Sequence, residues 1–128
     1  MKQAFILLVL LIKVSSSYAQ YDKEKLTSIL TANSWSVKGS NANFPEKSFT
    51  FNNDMTVQVG KDNGKGVVAS QKEKWSISSS DQIRWFITIG SQTHELIISY
   101  AKNGSQYVKL TRQDKLSGLV EMNLYPLK

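Results

Sequence analysis

No cysteine occurs among the 128 residues. That absence excludes disulfides, thiolate zinc sites and the lipid-attachment cysteine that follows a lipoprotein signal. An exported domain without cystines has to be held by its core alone. It also fits a bacterial periplasm or the outside medium better than a eukaryotic secretory route. Histidine is almost as scarce, with His94 the only one. Long apolar runs are lacking too. The nine-residue stretch Ala4–Ile12 is closed by Lys13, whereas a membrane span needs about 20 residues, so no stable membrane anchor is expected. Arginine is limited to Arg84 and Arg112, and the lysines are scattered beside turns or alternate along strands. Without a basic stripe carrying exposed aromatics, nucleic-acid binding is not expected.

What the N-terminus does contain reads as a leader. Met1-Lys2-Gln3 is a short positive region, Ala4–Ile12 an apolar one, and Ser15–Gln20 a polar stretch with Ser17 and Ala19 at the small-residue positions. This is the three-part pattern of a signal peptide, residues 1–19, with cleavage expected after Ala19. Loss of Lys2 and Lys13 with the leader takes the formal charge from +6 to +4. The remaining domain, 20–128, has the length of one core, and a periplasmic or secreted location is expected.

Within that domain the period is helical only once. In residues 22–32, Leu26, Ile29 and Leu30 share one face, Asp22 is a candidate N-cap, and Asn33 a stop. From Ser34 onward the period is two. Trp35 and Val37, Phe49 and Phe51, Val57 and Val59, and Trp75 and Ile77 each alternate with polar neighbours. The same holds for Ile83, Trp85, Ile87 and Ile89, for Leu96, Ile98 and Tyr100, for Val108 and Leu110, and for Val120, Met122 and Leu124. Phe86 and Ile97 fall on the outward side of this pattern. Turn signals separate the runs: Asn52-Asn53-Asp54, Lys61–Gly66, Ser78–Asp81, Gly90–Thr93, Lys102-Asn103-Gly104 and Gln113–Gly118. About eight short strands without helical crossovers predict an all-β sandwich or meandering barrel.

The chemistry-bearing residues do not assemble into a catalytic set. His94 and Glu95 are neighbours on one strand, so their side chains point to opposite faces. His94 is expected to be an ordinary polar strand residue. Asp62-Asn63-Gly64 with Glu73 imitates a calcium loop, but Gly64 and Gly66 stand where side-chain ligands are needed, and a hairpin is the better reading. Asn103-Gly104-Ser105 has the form of a glycosylation acceptor and in a bacterial chain is a turn. No enzymatic activity, catalytic residue, metal site or cofactor is therefore expected. The aromatics remain, and tryptophans inside a barrel either fill its core or line a ligand cavity.

With the strands placed, several motifs form a series. They are Leu30-x-x-Asn33-Ser34-Trp35-Ser36-Val37, then Ser48-Phe49-Thr50-Phe51-Asn52-Asn53-Asp54-Met55-Thr56-Val57, then Glu73-Lys74-Trp75-Ser76-Ile77, Leu96-Ile97-Ile98 and Lys109-Leu110-Thr111. This series resembles the small exported lipocalin-like domains of the Bacteroidetes. Asn33 and Met55 stand where those domains carry glycine. The resemblance implies an eight-stranded antiparallel up-and-down barrel of calycin type with one short N-terminal helix and no enzymatic activity. It also implies a late arginine covering the first-strand tryptophan, a part that Arg112 would take here. A small apolar or amphipathic ligand is expected inside, against Trp75, Ile77, Ile83, Trp85, Ile87 and Tyr100. The alternative is an interaction module, such as an enzyme inhibitor or immunity protein, that meets a protein partner through the loops at Lys61–Gly66 and Gln113–Gly118.

Overall fold

A computed structural model of the chain describes residues 21–38, 46–61, 71–116 and 118–127. The leader expected over 1–19 and the hairpin expected beyond Lys61 lie outside the described residues. Helix α1 (Lys23–Thr31) is followed by strands β1 (Ser34–Lys38), β2 (Glu46–Phe51), β3 (Thr56–Lys61) and β4 (Gln71–Ser78). Strands β5 (Trp85–Ile89), β6 (Gln92–Tyr100), β7 (Gln106–Asp114) and β8 (Gly118–Pro126) complete the chain. Each strand pairs antiparallel with the next, and β8 returns to β1 to close the barrel. Among the described residues the architecture is the predicted one, an eight-stranded, lipocalin-like barrel with one short helix.

The helix starts where its chemistry allows. Asp22 is extended, and its carboxylate accepts a hydrogen bond from the Lys25 N–H at 2.7 Å, satisfying one orphan donor of the first turn. Leu26 and Leu30 are buried and plug one end of the barrel. The helix caps at Ala32, one residue before the expected stop at Asn33. Trp35 then fastens β1 to it: the indole Nε1 donates to the Leu30 carbonyl at 2.9 Å.

The barrel has two unlike ends. Odd strands lead away from the helix and even strands return. The turns at Asn52–Met55, Ser79–Arg84 and Ala101–Ser105 therefore share the helix end, and Gly90–Ser91 lies at the far end. Between them the inward residues pack tightly: Phe51 meets Trp75 edge-on with ring centroids 5.2 Å apart, and stacks with Phe49 at 6.0 Å. Val57, Ile87, Val108, Leu110 and Leu124 are completely buried. Closure sets Val37 opposite Leu124 and Trp35 opposite Pro126.

Local conformation explains the departures from the two-residue period. Ile83 is 64% exposed rather than inward, because β5 begins only at Trp85. Before it, Asp81 accepts from the N–H groups of Ile83 and Arg84, both at 2.9 Å, and Gln82 takes φ +59°. This turn rotates Ile83 out of phase. Tyr100 is 59% exposed at the end of β6, where its hydroxyl lies 3.1 Å from that of Tyr21. Gln92 and Thr93 are already paired in β6, so the turn predicted over Gly90–Thr93 is only Gly90 and Ser91. Met55, which replaces a glycine of the resembled pattern, adopts φ +65°, the left-handed conformation glycine favours.

Candidate functional site

Three strand patterns continue beyond their apolar residues, and what they carry is polar. On β6 the inward set Ile98 and Leu96 extends to His94, and on β7 Val108 and Leu110 extend to Arg112. On β4, Trp75 and Ile77 share their side with Glu73. All three polar residues reach the far end of the barrel. There they line a cavity of about 330 Å³ with Glu46, Lys61, Ser91 and Gln92, over a floor that includes Phe49, Val59, Ile89 and Met122. Its apolar floor is continuous with the core.

His94 is the departure with the largest chemical consequence. Expected as an ordinary polar strand residue, it is 5% exposed inside the barrel. Glu95 does point the other way, pairing with Arg84 at 2.9 Å on the outside. The register that sets Leu96 against Leu110 and Glu95 against Thr111 brings His94 beside Arg112. Burial, and then the Arg112 charge, push the imidazole down to about 4, so it is neutral at pH 7. Arg112 bonds one end of its guanidinium, Nη1, to Asp114 at 3.0 Å. Its Nε and the Nδ1 of His94 are buried with no hydrogen-bond partner. Arg112 does not take the part implied by the resemblance: it pairs with Val120, towards the opposite end of β8 from the Pro126 that faces Trp35.

Glu73 lies against the β5–β6 turn. Gly90 has φ +61°, and a Cβ there would stand 2.5 Å from Glu73 Oε2. Gly90→Ala is expected to lower stability by about 1–2 kcal/mol through the left-handed backbone, and to push the Glu73 carboxylate aside. Denaturant midpoints check this. A Glu73→Ala change in the same background should restore little, because the flexible carboxylate yields and the backbone does not.

The residues predicted to hold a ligand are divided among three places. Trp75, Ile77 and Ile87 are buried in the packed middle, and the Trp75 indole Nε1 donates to the Asn52 carbonyl at 3.1 Å. Ile83 and Trp85 come together at the helix end, where with Tyr21, Leu26, Leu96, Ile97 and Ile98 they line a smaller cavity of about 220 Å³. Trp85 Nε1 is buried there without a partner. Tyr100 stands outside both cavities. The polar wall of the far end was missed in the sequence. Its signal was parity: His94, Arg112 and Glu73 each lie two residues from an inward apolar side chain on the same strand. Among the described residues, no three histidine, aspartate or glutamate side chains gather into a metal-holding group. Compared with protein-family models, curated proteins and solved structures, the chain matches none.

Proposed function

We propose that this chain is an exported, non-enzymatic, lipocalin-like binding protein that holds a small amphipathic molecule at the barrel end opposite the helix. The observation that carries this reading is the cavity with its apolar floor and its polar wall of Glu73, His94 and Arg112. An apolar body would rest on Phe49, Val59, Ile89 and Met122. The volume is at the lower end of those that take small molecules. Relative to the sequence expectation, the ligand moves from the tryptophans to the polar wall of Glu73, His94 and Arg112. The resemblance to small exported lipocalin-like domains supports the same function.

The test is chemical-shift mapping of the folded domain with a panel of short amphipathic molecules. Saturable shifts should centre on Ile89, His94, Arg112 and Met122. Shifts confined to Trp85 and Ile97 would place binding at the helix end and refute this site. If no molecule of the panel binds, the interaction-module reading leads, because Leu116, in the β7–β8 turn, is 98% exposed and Leu119 is exposed beside it.

A further inference from the structure

At the helix end, Tyr100 closes β6 with 59% of its surface exposed and its hydroxyl held from two sides. The Tyr21 hydroxyl lies 3.1 Å away, and Gln106, the register partner of Tyr100 on β7, donates from Nε2 at 3.3 Å. The Lys25 ammonium sits over the Tyr21 ring, 5.3 Å from its centroid. When one proton leaves the two hydroxyls, the other remains between the oxygens. With the charge on Tyr100, the phenolate accepts from both Tyr21 and Gln106 and belongs to an exposed residue. With the charge on Tyr21, Tyr100 is the donor and the residue is half-buried. The anion therefore favours Tyr100, whichever hydroxyl donates in the neutral pair. The bonds from Tyr21 and then Gln106 outweigh desolvation and, with the Lys25 charge, hold the Tyr100 phenol below its ordinary value. Burial, and then the bond to Tyr100, pushes Tyr21 up to about 12.

We infer that Tyr100 is an accessible nucleophile that takes an acyl group from an activated aryl ester, with Tyr21 and Gln106 positioning the charge on its oxygen. The phenol proton leaves to solvent. The Tyr100 Oη then bonds to the acyl carbon, the bond from that carbon to the aryl oxygen breaks, and the aryloxide departs with the electron pair. A nitrophenolate leaving group is a weaker base than tyrosinate, so transfer runs towards Tyr100. Each Tyr100 takes one acyl group, a modification rather than turnover. The site lies at the opposite end of the barrel from the proposed ligand cavity and does not depend on it.

The probe is p-nitrophenyl acetate, added to the folded protein, with nitrophenolate release followed by absorbance and the acetylated residues located by peptide mass spectrometry. Tyr100 should be acetylated at least about threefold faster than Tyr107 or Tyr125, which stack on each other half-buried. One charge-assisted hydrogen bond is worth about tenfold in phenolate population, and about the square root of that survives because a stabler anion is a weaker nucleophile. Gln106→Leu should slow acetylation of Tyr100 by the same factor. Tyr100→Phe should abolish the rapid release of nitrophenolate and remove the first phenolate that appears in an ultraviolet titration. If Tyr100→Phe does not fold, the Gln106→Leu rate decides. Faster acetylation of Tyr107, Tyr125 or a lysine would overturn the assignment. So would an unchanged rate in Gln106→Leu, or rapid release that persists in Tyr100→Phe.

Discussion

Trp35→Ala will destabilise the barrel by about 3–5 kcal/mol, the range for truncating a large buried aromatic. Trp35 is 1% exposed and belongs to two structures at once. Its ring lies in the core between Phe49 and Pro126, its register partners on β2 and β8. Its Nε1 donates to the Leu30 carbonyl of α1, a backbone group in the last turn that has no helical partner to spare. Alanine would leave a void at the barrel end, free that carbonyl and loosen the seat of Leu26 and Leu30. Urea denaturation followed at two wavelengths measures the cost. Trp35→Phe separates the contributions: it keeps much of the packing and loses the hydrogen bond, so about 1–2 kcal/mol is expected from it. A Trp35→Ala loss under about 1 kcal/mol would mean that the helix, not the tryptophan, closes this end.

The prominence of Trp35 was legible from alternation, as was most of the barrel. A period of two with turn residues between the runs leaves few ways to bury one face of eight strands. Lys102-Asn103-Gly104 shows how local the information is: Asn103 Oδ1 accepts from the Ser105 N–H at 3.0 Å and Gly104 takes φ +86°. Ile83 shows the limit of the same rule. It has the parity of Trp85 and Ile87, but Asp81 captures the backbone just before it and starts the strand later. Parity locates a face only inside a strand, and strand ends depend on competing side-chain hydrogen bonds. The cavity was illegible for a different reason. Glu73, His94 and Arg112 are far apart in the chain and lie on three different strands. Each is a single polar residue at a strand end. They share a wall only because β4, β6 and β7 bring those particular ends to the same rim, and that is a property of direction and register. The apolar residues that suggested a ligand site, Trp75, Ile77 and Ile87, are instead the packing that closes the barrel's middle.

Acidification will destabilise the wild-type protein more than a His94→Gln variant, by up to about 3 kcal/mol. The folded imidazole titrates at about 4, held down first by burial and then by Arg112. The unfolded one titrates near 6.5. Between those values the unfolded chain binds a proton that the folded chain refuses, so stability is highest above about pH 7 and falls as pH drops towards 4. Below that pH both states are protonated and the His94 contribution is constant. Asp54 and Asp81 act in the same direction. Hydrogen bonds from Thr56 to Asp54, and from the Arg84 and Ile83 backbone to Asp81, hold both carboxyls below their usual range. Their effect is common to wild type and variant and cancels in the difference. Glutamine keeps a polar side chain of similar reach that does not titrate. The comparison requires denaturation curves for both proteins at several pH values from 7.5 to 4. The stability difference between them should change across that interval and be flat above it. A difference independent of pH would mean that water or a counter-ion reaches His94 freely, and the wall would then not be the desolvated one its unpartnered nitrogens define.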